Sequence, residues 1–167
     1  MTSSKEYLET TKNGIEIFFD TNSSHAITHF QKNPKLRLHV QGVIKTINIT
    51  ENHTRADFDT GEVLGQTDLV ETSETDEVVY ALRVGRQTYS RFVKNMSPSP
   101  TSRLTLDIRK GEDAVYYLYT AFIGANVPSF PGGDYLPTES KTFWSQHALV
   151  WGTQEIVEGT ETEICPW

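Results

Sequence analysis

The sequence predicts an α+β fold in which N-terminal helices pack on an antiparallel four- to five-stranded meander sheet, followed by a short C-terminal helix. Three observations predict this arrangement. Apolar residues between positions 34 and 47 recur at helical spacing. Leu104, Leu106 and Ile108 alternate with polar residues, which is the period of a half-buried strand. Strand-like segments follow one another between residues 78 and 123, as in a meander of successive antiparallel strands.

Each element is expected in chain order from its local pattern. The predicted elements are a strand at 15–19, a short helix around 25–30, an amphipathic helix at about 35–48, strands at 78–83, 88–95, 103–109 and 115–123, a short helix after Thr138 and a strand at 148–151. Residues 51–77 show little periodicity and are expected to be mostly loop, with short strands near 63–64 and 68–70. A single domain over 1–167 is expected, with residues 1–13 and about 155–167 flexible. For the acidic tail, packing and partner binding remain open beside disorder.

Charge is distributed unevenly along the chain. The formal net charge is −7 with a sequence pI near 5.2, which argues against general nucleic-acid binding because such affinity comes from neutralised phosphates. Residues 51–77 hold nine acids and one base, whereas residues 83–110 hold seven bases and one acid. A basic centre therefore lies between acidic segments.

The sequence contains few signals for a cofactor or a membrane. Cys165 is the only cysteine, and the first twenty residues lack an apolar stretch of the secretory type, so a cytoplasmic location is expected. No segment approaches the length of a membrane span. Phosphate-loop, dinucleotide and zinc-protease motifs are missing from the sequence, and neither a metal nor a cofactor is expected.

The basic centre contains the residue types that metal-free RNA cleavage needs. Such cleavage requires a group that takes the 2′-hydroxyl proton, cations for the charge developing at phosphorus, and a donor to the leaving 5′-oxygen. Histidine titrates nearest to neutral pH, and arginine can hold a phosphate through two bonds at once. The candidate catalytic residues are His147, Arg83, Arg91 and Thr120, and the candidate substrate-binding residues are Lys94, Tyr119 and Arg103.

The order of elements, with four sequence blocks, resembles the Barnase–EndoU–colicin–RelE group of small microbial ribonucleases over roughly residues 25–150. The blocks are Tyr80 to Arg83, Ser90 to Lys94, Tyr119 to Phe122 and Phe143 to Leu149. The last two blocks also look like a recurrent signature of small bacterial proteins of uncharacterised function. The resemblance implies a metal-independent endoribonuclease of toxin type, held in check by a protein inhibitor and acting on RNA, with tRNA as one candidate substrate.

Two other classes of function remain open. The first is a non-catalytic binding or inhibitor protein, such as an antitoxin, an immunity protein or an anti-defence protein, in which the acidic segment 51–77 docks on a basic partner. The second is a small-molecule binder whose aromatic sheet face forms the pocket, with His147 and the arginines holding an anionic ligand. The ribonuclease hypothesis requires His147, either Arg83 or Arg91, and Thr120 to converge on one open cleft.

Overall fold

The computed structural model describes residues 4–22 and 25–167, with only the backbone described at 25–27. Within these residues the chain forms eleven strands and three helices. The strands are β1 Lys5–Thr10, β2 Glu16–Asp20, β3 His53–Asp59, β4 Gly65–Thr67, β5 Leu69–Glu71, β6 Val78–Leu82, β7 Tyr89–Val93, β8 Ser99–Thr101, β9 Arg103–Lys110, β10 Tyr116–Ile123 and β11 His147–Val150. The helices are α1 His25–Lys32, α2 Pro34–Ile44 and α3 Thr138–Gln146.

The chain divides into two compact units, each made of separate chain segments. The first unit contains residues up to 65 together with 101–126, and the second contains 66–100 together with 127–167. Strands β4 and β8 form a separate two-stranded sheet. The expectations of a single folding domain and of flexible ends stay predictions.

The first unit is built on a five-stranded sheet with the order β1-β2-β10-β9-β3. Strands β1 and β2 form an antiparallel hairpin, and β9 runs antiparallel to both β10 and β3. Strand β2 pairs with β10 in parallel, with Ile17 opposite Tyr116. The register of β10 against β9 shifts between Leu118 and Thr120, which leaves Tyr119 as an extra residue.

One face of this sheet carries the apolar core of the first unit. Helix α2 buries its face at Leu36, Val40, Val43 and Ile44, against inward residues of β9 and β10. Each such side chain contributes about 1.5–3 kcal/mol relative to exposure, so this packing fixes which face of β9 points inward. Because neighbouring residues of a strand point to opposite faces, the polar residues of β9 share the other face.

The second unit is built on a four-stranded sheet with the order β5-β11-β7-β6. Strand β11 is antiparallel to β5 and parallel to β7. The core contains Phe92, Phe130 and Trp144, and the last two rings stack with centroids 3.7 Å apart. The indole N–H of Trp144 donates to the carbonyl of Pro128 at 3.0 Å, so the buried ring keeps its polar atom satisfied.

The C-terminal tail lies along the outer side of β6. Tyr80 and Thr162 exchange two backbone hydrogen bonds of 2.8 Å, and the N–H of Val157 donates to the carbonyl of Leu82 at 2.7 Å. The ring of Trp167 meets that of Tyr80 edge-on, with centroids 5.3 Å apart. These contacts satisfy backbone groups that an uncovered edge strand would present to solvent.

The predicted fold class is wrong. The chain is mostly sheet and begins with the β1–β2 hairpin rather than with helices, and its helical content is three short segments, one of them late. The expected meander does not form either, because β6 and β7 belong to one sheet and β9 and β10 to another, and both sheets include a parallel pair. Apolar alternation identifies a strand from its own residues, but it does not specify the partner of that strand.

None of the described helices has the length and apolar character required to span a membrane.

Candidate functional site

The polar face of the first unit's sheet brings charged and hydroxyl side chains into rows across three strands. Arg55, Asp107 and Thr120 lie opposite one another on β3, β9 and β10. In the neighbouring row, His53 lies opposite Arg109. Residues directly opposite in an antiparallel pair point to the same face, so these side chains share one surface.

Asp107 is the centre of this surface. The residue is fully buried, although it lies on the polar face, because its neighbours cover it. Its Oδ1 lies 3.0 Å from Nε2 of His53 and 3.0 Å from Nε of Arg109, and its Oδ2 accepts from Nη1 of Arg55 at 3.0 Å. A second bond from Nη2 of Arg109 reaches Oδ2 at 3.3 Å. We refer to His53, Arg55, Asp107 and Arg109 as the Asp107 cluster.

The cluster keeps Asp107 ionised. Burial raises the pKa of the Asp107 carboxyl, but hydrogen bonds from Arg109 and Arg55, together with the charges of Arg109 and His53, outweigh burial and hold the pKa below its ordinary value. The carboxylate in turn raises the pKa of Arg109, chiefly through their hydrogen bond. One carboxylate thus faces two permanent cations, and the cluster keeps an excess of positive charge.

The contact with Asp107 fixes the orientation of the His53 imidazole. A carboxylate accepts hydrogen bonds only, so Nε2 of His53 carries the proton that faces Asp107. In the neutral ring this leaves Nδ1 as the acceptor. The His53 side chain is 53% exposed, which places a histidine oriented by a carboxylate at the surface of the sheet.

Both arginines are held in place and are still accessible. Arg55 donates from Nε to Oδ1 of Asn126 at 3.0 Å, and its guanidinium lies 5.7 Å from the ring centroid of Phe122. Arg109 stacks on Tyr119 at 3.9 Å. The two arginine side chains are 40% and 46% exposed, so an anion in solvent can reach them.

A second ion pair borders the cluster. Arg103 pairs with Asp57, and the backbone N–H of Asn126 donates to the other carboxylate oxygen of Asp57 at 2.7 Å. Asp57 and Asp59, which lies opposite Arg103, balance the charge of Arg103, so the accessible cations of this face are Arg55 and Arg109 of the Asp107 cluster.

Three of the residues predicted from the sequence lie on or beside this face. Thr120 is opposite Asp107, Tyr119 is stacked on Arg109, and Arg103 is paired with Asp57. The sheet therefore brings two of the predicted hydroxyl donors to the Asp107 cluster.

The other four predicted residues belong to the second unit. His147 is half-buried, its Nδ1 lies 3.0 Å from the carbonyl oxygen of Phe143, and its ring stacks on the Phe143 ring at 4.1 Å. Arg91 donates to the backbone carbonyl of His147 rather than to its ring. Arg83 and Lys94 stack over Phe130 and Trp151. Among the described residues, no hydrogen bond joins the His147 ring to any of these three cations, and their catalytic role stays a prediction.

Sequence reasoning missed the four members of the Asp107 cluster. His53 and Arg55 lie in the segment that was expected to be mostly loop but forms β3. A usable signal was present, because charged residues of both signs share one face of each predicted or possible strand, as His53, Arg55 and Asp57 in one segment and as Arg103, Asp107 and Arg109 in the other. Pairing two such strands brings the charges together.

No group of three or more His, Cys, Asp or Glu side chains within the described part of the chain is arranged to hold a metal ion. Comparison of the chain with protein-family models, with curated proteins and with solved structures finds no match.

Proposed function

We propose that the Asp107 cluster cleaves RNA without a metal cofactor, by attack of the substrate's own 2′-hydroxyl, with a tRNA as one candidate substrate. The observation that carries the proposal is the exposed imidazole of His53, bonded through Nε2 to buried Asp107 and flanked by two accessible arginines. A general base oriented by a carboxylate and placed beside phosphate-binding cations is the arrangement that this chemistry requires.

Each group has a distinct role in the proposed reaction. Nδ1 of His53 accepts the proton of the 2′-hydroxyl as that oxygen bonds to phosphorus. Arg55 and Arg109 bind the non-bridging oxygens, where negative charge develops. The bond from phosphorus to the 5′-oxygen breaks, and the Tyr119 hydroxyl donates a proton to that oxygen. The products are a 2′,3′-cyclic phosphate and a free 5′-hydroxyl, and solvent returns the protons.

The net negative charge of the chain does not oppose this function at the local level. Charges separated by more than a Debye length, about 8 Å at physiological salt, are largely screened. An RNA phosphate at the cluster is therefore governed mainly by Arg55, Arg109 and Asp107, whose charges sum to a positive value. The acidic remainder of the chain instead lowers affinity for arbitrary RNA, which favours a limited set of substrates.

Non-catalytic binding of a small anion is the second candidate function for the same surface. The excess positive charge supports it, and it needs neither an accepting imidazole nitrogen nor a proton donor at Tyr119. If the cluster cleaves RNA, substitution of His53 removes the reaction. If the cluster only binds an anion, the same substitution weakens binding.

The deciding experiment incubates the full chain with total RNA and with tRNA in EDTA. Wild-type protein is compared with His53→Ala and with His147→Ala. We expect fragments ending in cyclic phosphate from the wild type and from His147→Ala, and a rate lower by about 10²–10⁴-fold for His53→Ala.

Each other outcome has a defined meaning. Loss of cleavage in His147→Ala alone would place the chemistry in the second unit, at the residues predicted from the sequence. Intact RNA with the wild-type protein would contradict the ribonuclease proposal and favour the anion-binding function. Far-ultraviolet circular dichroism of every variant serves as the folding control.

A further inference from the structure

Two arginines of the second unit flank a tight turn and have no acidic partner. Arg83 follows β6 directly, and Gly85, with φ of 80°, allows the chain to turn so that the N–H of Arg86 donates to the carbonyl of Arg83 at 3.1 Å. Within the part of the chain that the structure describes, neither arginine forms an ion pair with a carboxylate. The turn therefore carries two cations that form no salt bridge with a carboxylate.

The Arg83 side chain is held firmly by one end of its guanidinium group. Its Nε donates to Oγ of the fully buried Ser90 at 2.8 Å, and its guanidinium carbon lies 5.6 Å from the ring centroid of Phe130. The two Nη atoms have no hydrogen-bond partner among the described residues, and they are not among the buried polar atoms. A fixed guanidinium with two accessible N–H groups is preorganised to bind an oxyanion.

Arg91, on the adjacent strand β7, shows the opposite arrangement. Its Nη1 donates both to Oγ1 of Thr72 and to the carbonyl of His147, so this side chain joins parts of the sheet to one another. Arg83 has only one such bond, and the remainder of its donors point to no protein acceptor. The Nε of Arg91 also lacks a partner, but it is buried, whereas the unbonded donors of Arg83 are not among the buried atoms and are open to a ligand.

The electrostatic setting of Arg83 favours a bound anion. Burial lowers the pKa of the Arg83 guanidinium, and the positive charge of Arg86 lowers the pKa further, while Asp68 offsets only a part of this effect. A half-buried cation beside a like charge is unfavourable unless an anion compensates it. An anion with several oxygens can accept from both arginines at once, and phosphate is the common biological anion of that geometry.

We propose that Arg83 and Arg86 form a phosphate-binding site on the turn after β6. The phosphate group is either free or part of a nucleotide chain, and in both cases its oxygens accept from the Nη groups of Arg83 and from Arg86. The site consists of residues of the second unit alone. It goes beyond the proposed function and does not depend on it, since it uses none of the residues of the Asp107 cluster.

The test is a titration of ¹⁵N-labelled full-length protein, followed by the backbone amide signals of residues 83–86. One arm uses inorganic phosphate and the other uses a 2′-O-methylated RNA oligonucleotide that cannot be cleaved, both at constant ionic strength set with chloride. We expect saturable shifts at the turn, with a Kd on the order of 1 mM for inorganic phosphate. Arg83→Gln should weaken binding by about tenfold or more.

Lys141→Gln is the matched control, because it removes one exposed positive charge from α3 of the same unit. Shifts in the phosphate arm that disappear in Arg83→Gln and persist in Lys141→Gln would support the site and identify free phosphate as a ligand. The same pattern in the oligonucleotide arm alone would support it with nucleic acid as the source.

Absence of turn shifts in both arms, or equal shifts in Arg83→Gln and wild type, would overturn the inference. The proposed ribonuclease function is tested by a separate measurement, the cleavage of RNA. His53→Ala should leave the turn shifts unchanged, so failure of RNA cleavage and failure of phosphate binding at Arg83 cannot be confused.

Discussion

Nε2 of His53 lies 3.0 Å from Oδ1 of Asp107, although the two residues are not directly opposite in the pairing of β3 with β9. His53 is opposite Arg109, so its ring reaches diagonally across the ladder to the carboxylate. Diagonal neighbours on a sheet face are within reach of long or aromatic side chains. Strand register thus decides the contact, and a shift by one residue would send the two groups to opposite faces.

Replacing the central carboxylate should affect both stability and activity. We expect Asp107→Asn to lower the free energy of unfolding by about 2 kcal/mol, because two arginines and a histidine lose a charged acceptor. Urea unfolding at neutral pH measures this loss. Asp113→Asn, at an exposed carboxylate in the turn before β10, is the control and should change stability much less. An equal loss of unfolding free energy in the two variants would contradict the central role assigned to Asp107.

Acid should weaken the fold through the same residue. The folded-state pKa of Asp107 is depressed, so its stabilising contribution is fully present above the unfolded-state pKa of about 3.9 and is lost as pH falls through the lower folded-state pKa. Thermal unfolding of the wild type should therefore show a falling Tm below about pH 4. The Tm of Asp107→Asn should fall less steeply over that range. Parallel curves for the two proteins would contradict the assignment.

The hydroxyl of Tyr119 can be tested without disturbing its ring. Tyr119→Phe keeps an aromatic ring against Arg109 but removes the proton donor assigned to the 5′-oxygen. We expect kcat for RNA cleavage to fall by about 10²–10⁴-fold with little change in KM. An RNA analogue with a better leaving group at that position should restore much of the rate. A variant that raised KM at constant kcat would instead place Tyr119 in substrate binding.

The turn between β9 and β10 contains a strained alanine. Ala114 has φ of 64°, the left-handed region that disfavours residues with a Cβ. Ala114→Gly should therefore stabilise the protein, by about 0.5–1 kcal/mol after allowance for the greater freedom of glycine in the unfolded chain. Ala125→Gly, at a residue without a positive φ, should destabilise instead. Chemical denaturation of both variants provides the comparison.

Removal of the C-terminal tail should destabilise the second unit. Ending the chain after Gln154 deletes the backbone bonds of Thr162 and Val157 to β6 and the edge-on contact of Trp167 with Tyr80. We expect a lower Tm and association through the uncovered edge strand, seen as larger species by light scattering. Trp167→Ala in the full chain separates the two effects, since it removes the ring contact and keeps the backbone pairing. An unchanged Tm and a monodisperse truncated chain would contradict this account.

Local patterns in the sequence indicate several elements correctly. The alternation of Leu104, Leu106 and Ile108 predicts β9, and the helical spacing after Pro34 predicts α2. Both patterns reflect which residues face a core, and burial of those residues determines the local conformation. Each can be detected within one short segment.

The sequence was less informative where the decisive contacts join distant segments. No strand was expected at Lys5–Thr10, which forms β1, an edge strand whose partner is β2. His53–Asp59 was expected to be loop because its charges obscure the apolar alternation of Ala56 and Phe58. The role of its charged residues becomes evident only when they lie beside Asp107, some fifty residues later in the sequence. The polar residues of one strand do not indicate which strand will pair with it. The candidate site was missed for the same reason.

The division of the chain into alternating segments has a consequence for synthesis on the ribosome. The parallel pairing of Ile17 with Tyr116 joins β2 to β10 in the five-stranded sheet of the first unit. This pairing cannot form until the chain beyond residue 116 has left the exit tunnel. By then β6 and β7 have emerged, while β11, the second partner of β7, has not. Such distant pairings slow folding and prolong the exposure of unpaired strands. The nascent protein therefore depends most on protection from aggregation between the emergence of β10 and the emergence of β11.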